Sequence, residues 1–319
     1  MVSLDDLRAA QSLLRGIAVR TPLFEWTGPT DQRKLFLKLE NQQPIGAFKL
    51  RGAYNKVASL SQDERRRGVI SYSSGNHAQG VAYAARALIV RAIIVMPGNA
   101  PKNKLDATAA LGAEIVIVGP GSDERRLRAE ELAAQHGYVI VPPYNDEKII
   151  AGQGTVGLEI LEDLPDVETI LVPVGGGGLI SGVSAAIKLS NPKVKVIGVE
   201  PELAADAQAS LRAGRIVSFP AEKVSQTLAD GLRTQSIGKL NFEHIRAYVD
   251  DIVSVTEDQI RETVRVLSGN EKTVAEPSGA VAPAAFLFQA DALPDTNFNV
   301  AVISGGNIDP ALLADLRLH

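Results

Sequence analysis

Thr169-Ile170-Leu171-Val172-Pro173-Val174 runs into Gly175-Gly176-Gly177-Gly178 and then into Leu179-Ile180-Ser181-Gly182-Val183, a β-branched stretch, a glycine turn and an apolar helical pattern. Four glycines let consecutive backbone N–H groups converge on a phosphate with no Cβ in the way. A flexible linker has no place between two core elements, so the turn reads as a phosphate cradle. The same alternation extends in both directions. Val69-Ile70-Ser71-Tyr72, Ala92 to Met96, Glu114 to Val118 and Val194 to Val199 read as strands, with helical patterns at Gln79 to Ala87, Lys102 to Leu111 and Glu124 to His136. Strands alternating with helices imply parallel sheets covered on both faces.

Pro142-Pro143-Tyr144-Asn145 interrupts the pattern and marks a division into two lobes. Ligands of such sheets bind outside the carboxyl ends of the strands, so a site between the lobes is expected. The chain has 319 residues, 45% of them hydrophobic and 22% charged, enough for one large or two ordinary globular cores. A net charge of -4, spread along the chain, argues against a nucleic-acid partner. There is no cysteine, which excludes disulfides, thiolate metal sites and a cysteine nucleophile and fits a cytoplasmic protein. Neither a signal peptide nor a membrane span is read. His77, His136, His244 and His319 show no close ligand pairing, which disfavours a zinc enzyme.

Within Gly46-Ala47-Phe48-Lys49-Leu50-Arg51-Gly52-Ala53, Lys49 is an amine between an aromatic ring and small residues. Burial beside Phe48 and proximity to the Arg51 cation should lower its pKa, and a neutral amine can trap an aldehyde as an imine. A snorkelling lysine is the alternative. Ser73-Ser74-Gly75-Asn76-His77 follows a strand and precedes an alanine-rich helix, so its free N–H groups and side chains suit a carboxylate, beyond ordinary capping. Glu200, the Ala204 carbonyl and Asp206 offer three oxygens to a hard cation from one turn, with solvated loop charges as the alternative. Ser304 in Ser304-Gly305-Gly306-Asn307 offers a hydroxyl to a ring nitrogen. Glu200 also stands where a dinucleotide-binding fold keeps its ribose-binding acid, which raises a nicotinamide-dependent dehydrogenase as a rival. Gly-x-Gly-x-x-Gly is not matched in any frame of Gly175 to Gly182, and that enzyme leaves the Lys49 peptide unused.

Taken in order, the Lys49 peptide, Ser73 to His77, Ala151-Gly152-Gln153-Gly154-Thr155, Gly175 to Gly178, Glu276-Pro277-Ser278-Gly279-Ala280 and Ser304 to Asn307 resemble the pyridoxal-phosphate-dependent threonine dehydratase and serine racemase family over nearly the whole chain. The resemblance implies a two-lobed fold type II enzyme of the α/β class, each lobe a largely parallel sheet flanked by helices. The expected division is a large cofactor domain from 1–48 and 146–319 and a small domain from 49–145. It also implies that Lys49 holds pyridoxal phosphate covalently, Phe48 packs on its ring, Gly175, Gly176, Gly177 and Gly178 bind its phosphate, Asn76 meets its hydroxyl, Glu276 lies beside it and Ser304 meets its ring nitrogen. A serine there disfavours transamination and suits loss of a leaving group from Cβ.

The implied reaction is dehydration of a 3-hydroxy amino acid, L-threonine or L-serine first, to a 2-oxo acid and ammonia, with Lys49 as general base. Ser73, Ser74, Gly75, Asn76 and His77 would hold the substrate carboxylate. Ser74 resembles the second acid/base of racemases and hydroxyaspartate dehydratases, which leaves serine racemisation or 3-hydroxyaspartate turnover as alternatives. Arg126 resembles a racemase position near dicarboxylic ligands. Glu200, Ala204 and Asp206 match the family's divalent-cation site, for Mg²⁺, Ca²⁺ or Mn²⁺, and a homodimer is expected. Ala47 and Tyr144 depart from the racemase pattern, which has serine and asparagine there.

Overall fold

A computed structural model describes residues 1–27, 33–98, 100, 102–119 and 122–318; His319 lies outside this set. Among the described residues ten strands form two sheets. The larger is built from β1 (Leu23–Trp26), β2 (Lys34–Leu39), β7 (Thr169–Pro173), β8 (Lys195–Pro201), β9 (Asp251–Val255) and β10 (Phe298–Ile303), in the order β1-β2-β10-β7-β8-β9. Only β1 pairs antiparallel, Leu23 opposite Lys38 through Trp26 opposite Leu35. The smaller sheet is wholly parallel and contains β3 (Val69–Tyr72), β4 (Ala92–Pro97), β5 (Glu114–Val118) and β6 (Val139–Ile140), in the order β5-β4-β3-β6.

Every residue of β4 and β7 is buried, and only Lys195 of β8 is exposed, because helices cover both faces of each sheet. The strand from Val69 and the strand from Glu114 have the bounds read from the sequence; β8 begins one residue later than expected and continues through Glu200 to Pro201. Strands β1, β2, β6 and β9 are not among the strands read from the sequence.

Sheet topology places the chemistry. Parallel strands deliver their carboxyl ends to one side, and β3 ends at Ser73, β7 at the glycine turn and β10 at Ser304. The loop after β2 carries Gly46 to Lys49, and it is stitched to the turn after β10: Phe48 N donates to Ser304 O at 3.0 Å, and Gly306 N donates to Gly46 O at 2.9 Å. The helix Lys49–Ala58 then starts at Lys49 itself.

Beneath that helix lies a buried ion cluster. Arg51 sends Nε and Nη2 to Glu40 at 2.7 and 2.8 Å, and Nη1 and Nη2 to Glu159 at 2.7 and 2.9 Å. Lys38 donates to Glu159 at 2.6 Å and to Thr21 O at 2.7 Å. Lys38, Glu40 and Arg51 are each at most 1% exposed, so two cations and two anions are compensated almost entirely by one another.

Candidate active site

A cavity of about 460 Å³ opens between the carboxyl ends of the two sheets. That is within the range of small-molecule sites. Phe48, Lys49, Ser73 to His77, Arg126, Gly175 to Gly178, Glu276 and Ser304 all line it. Glu200, Ala204 and Asp206 do not.

Lys49 is half-buried at the first residue of its helix, with Nζ 5.1 Å from the Phe48 ring centroid and donating to Pro143 O at 2.9 Å. Burial alone pushes its pKa down to about 8. The expected help from Arg51 is absent for a geometric reason. Two residues along a helix the side chains diverge, and the Arg51 charge is already neutralised by Glu40 and Glu159 on the far side.

The glycine turn leads into the helix Gly178–Ser190, whose first N–H groups have no partner within the helix. Gly177 takes φ +92°, in the left-handed region that favours glycine, and a Cβ on Gly176 would overlap the Tyr144 ring. Side-chain-free backbone at a helix N-terminus is the donor set that a phosphate needs. Ser73 and Ser74 precede the helix Asn76–Leu88, which offers a second set of free N–H groups to a carboxylate on the same cavity.

Asn76 is fixed on both sides. Its Nδ2 donates to Glu276 Oε1 at 2.5 Å, and its Oδ1 accepts from Asn307 Nδ2 at 2.8 Å. One N–H of the amide stays free for a ligand hydroxyl. Burial, with Asp230 nearby, pushes the Glu276 carboxyl up to about 7. Ser304 is 4% exposed, and its hydroxyl donates to Ser278 O at 3.4 Å. His77 is turned inward: its ring is 2% exposed, Nε2 meets Val141 O at 3.0 Å, and burial together with the Lys49 charge pushes its pKa down to about 3. It is therefore a neutral ring, and only its backbone N–H suits a substrate carboxylate.

Arg126 pairs with Glu130 at 2.8 Å along the helix Ser122–His136, whereas Arg125, which we did not single out from the sequence, donates Nη1 to Ser74 Oγ at 3.3 Å. Pro143, Tyr144, Lys104 and Asp230 also line the cavity, the last two as an ion pair joining residues 126 positions apart. A backbone carbonyl such as Pro143 O has no sequence signature. The proline pair was the only hint.

Away from the cavity, Glu200 accepts from Ala207 N at 3.0 Å and Gln208 N at 2.8 Å. Both Asp206 oxygens are buried without a hydrogen-bond partner, and burial pushes Asp206 up to about 7. Burial and the Asp206 charge also raise Glu200. Among the described residues no cluster of three or more His, Cys, Asp or Glu gathers. With its carboxylate committed to the helix Asp206–Ala213 and outside the cavity, Glu200 cannot serve as a ribose acid beside the glycine turn, which removes the dehydrogenase reading.

Fold and site together define a pyridoxal-phosphate enzyme, and residues 14–305 match the family of pyridoxal-phosphate dependent enzymes, to which the chain belongs. The chain is 49% identical over 318 residues to the L-threonine ammonia-lyase of Thermotoga maritima, covering 97% of this chain and 76% of that protein. Among solved structures, the threonine deaminase of T.th. is 42% identical with a TM-score of 0.91, over 97% of this chain and 99% of that one. Maize serine racemase is 35% identical with a TM-score of 0.92, over 98% of this chain and 96% of that one. The two helix-flanked sheets, one wholly parallel and the other parallel except for β1, are those of the fold type II class. No helix among the described residues is long and apolar enough to cross a membrane.

Proposed function

We propose that the chain dehydrates a 3-hydroxy amino acid, L-threonine or L-serine, to a 2-oxo acid and ammonia. The observation that carries this is the half-buried Lys49 amine, its pKa lowered to about 8, on the same cavity as a four-glycine helix entry and the Ser73 to His77 helix entry. The relatives named above support the choice of substrate.

The donor set fits pyridoxal phosphate: backbone N–H groups for a dianion, an aromatic ring, an amide with a spare N–H, a hydroxyl, and an amine that loses its proton near neutral pH. When bound, that cofactor supplies an electron-withdrawing ring that stabilises charge at the substrate α-carbon. Gly175 to Gly178 would hold the phosphate, and Ser304 would offer the ring nitrogen a neutral hydroxyl. The N–H groups of Asn76 and His77, with Ser73 and the backbone of Ser74, would hold the substrate carboxylate, which leaves the Ser74 hydroxyl free. Lys49 would remove the α-proton of the substrate, and burial supplies its neutral fraction. The β-hydroxyl would depart with the abstracted proton as water, and the enamine, once released, takes up water to give the 2-oxo acid and ammonia. Release of 2-oxo acid from L-threonine and L-serine tests this reading, with Lys49→Ala expected to abolish it. Turnover that survives Lys49→Ala overturns it.

A second reading, racemisation or 3-hydroxyaspartate turnover at the same site, is favoured by Ser74, whose hydroxyl lines the cavity and accepts from Arg125. A divalent cation at Glu200, the Ala204 carbonyl and Asp206 is supported by the unpartnered Asp206 carboxylate, since buried charge without a partner is costly. We take the division at 1–48 with 146–319 and 49–145, and a homodimer, as part of the proposal; limited proteolysis and sedimentation test them.

A further inference from the structure

Arg125 and Ser74 make a contact that neither the phosphate cradle nor Lys49 requires. The arginine is half-buried on the helix Ser122–His136, lines the cavity, and donates Nη1 to Ser74 Oγ at 3.3 Å. No carboxylate among the described residues pairs with it, whereas its neighbour Arg126 is satisfied by Glu130. Burial lowers the Arg125 pKa, the mark of a cation held out of water without an anion. A guanidinium has only donors, so the Ser74 oxygen must accept, and the serine proton is left to point elsewhere. No described residue receives it.

We infer that Arg125 is a positioning residue that makes Ser74 a second proton-transfer group at the substrate α-carbon. The inference rests on the proposed function and on its second reading; what it adds is the group that makes a serine competent. Inversion at carbon needs two proton-transfer groups. Lys49 is one, and an isolated serine is too weak an acid or base to be the other at neutral pH. A cation within hydrogen-bond distance stabilises the alkoxide and shifts that balance.

With a D-amino acid, Ser74 acts first. The Ser74 alkoxide takes the α-proton and becomes the hydroxyl, the carbon keeps the electron pair, and the Lys49 ammonium returns a proton to the same carbon. Solvent then restores both groups. With D-serine the same first transfer precedes loss of the β-hydroxyl, so D-serine turnover reports on Ser74 and L-serine turnover on Lys49.

Tyr72, Tyr144, His77 and Arg126 also line the cavity near these groups, and Lys104, Asp230, Glu276 and Arg233 complete its titratable lining. All of them are common to the two enantiomers, so a comparison of D- with L-serine isolates Ser74.

The test uses the cofactor-loaded protein, with L-serine and D-serine as substrates and visible absorbance as the check that each variant is folded and loaded. Arg125→Ala is expected to lower kcat/KM for D-serine about 10- to 100-fold more than for L-serine, the scale of one charge-assisted hydrogen bond. The rising limb of the D-serine pH profile moves to higher pH, because without the cation the serine deprotonates later, and Arg125→Lys restores part of both effects. Equal losses for the two enantiomers, or an unmoved limb, overturn the inference. So does a wild-type protein that turns over L-serine but neither turns over D-serine nor exchanges its α-proton. A protein with no Lys49-dependent absorbance overturns the proposed function itself.

Discussion

Replacing Arg51 with methionine keeps much of the side-chain volume and removes one charge from the cluster under the Lys49 helix. Glu40 is then left buried with only hydroxyl and amide partners, Thr21 Oγ1 at 2.6 Å and Gln43 Nε2 at 3.1 Å, while Glu159 keeps Lys38 at 2.6 Å. Removing one partner of a buried ion pair costs about 3–5 kcal/mol, because the remaining charge stays desolvated. At roughly 2–4 °C per kcal/mol, the melting temperature should fall by on the order of 10 °C.

The pH dependence separates charge from packing. Burial pushes the Glu40 carboxyl up, but the Arg51 charge and hydrogen bonds, with Lys38, outweigh it and hold it below the ordinary carboxylate value. In the wild type this contribution is therefore present above the unfolded carboxylate pKa and lost as pH falls through the lower folded value. In Arg51→Met burial wins, the folded value rises above the unfolded one, and the variant regains stability as pH falls from 7 towards 5 by taking up a proton. Thermal melts of both proteins across that range should show the gap in melting temperature narrowing with acid. A gap that is constant with pH refutes the charge account and leaves only lost packing.

Three further outcomes follow from the site. Gly176→Ala places a Cβ against the Tyr144 ring, so cofactor affinity measured by absorbance titration should weaken about 5- to 150-fold, a misfit of roughly 1–3 kcal/mol; Tyr144→Ala in the same chain should recover part of it. Lys49, with a pKa of about 8 in the cofactor-free protein, should make the rate of cofactor attachment rise with pH and level off above that value, as the neutral amine becomes dominant. With the proposed cation bound at Asp206, chelation should lower the melting temperature more at pH 8 than at pH 6, since a carboxyl pushed up to about 7 binds a proton in place of a cation under acid; Asp206→Asn should remove both effects, and a melting temperature unmoved by chelator overturns the cation site.

What the sequence disclosed and what it hid divide along physical lines. Strands such as Ala92–Pro97 and Thr169–Pro173, buried along their whole length, show as apolar runs, and the glycine and Ser-Gly-Asn turns announce themselves by residues that few other structures need. The lysine in its motif was legible for the same reason. Strand β2 was not, because Lys38 breaks its apolar run, and only the fold reveals that Glu159, 121 residues away, neutralises it. Arg51 read as a neighbour of Lys49 and turned out to belong to that buried cluster. Arg125 and Arg126 are adjacent and chemically identical; the rotation of one helix position, which no local pattern encodes, sends one to Ser74 and the other to Glu130. The lowered pKa of Lys49 was expected, with burial correctly named and the neighbouring cation not.

The measurement closest to the central claim is reduction of the cofactor-loaded protein with borohydride, followed by proteolysis and peptide mass mapping. The pyridoxyl adduct is expected on Lys49, in the peptide containing Phe48 and Leu50, and to vanish in Lys49→Ala. An adduct on any other lysine, or none at all, contradicts the account.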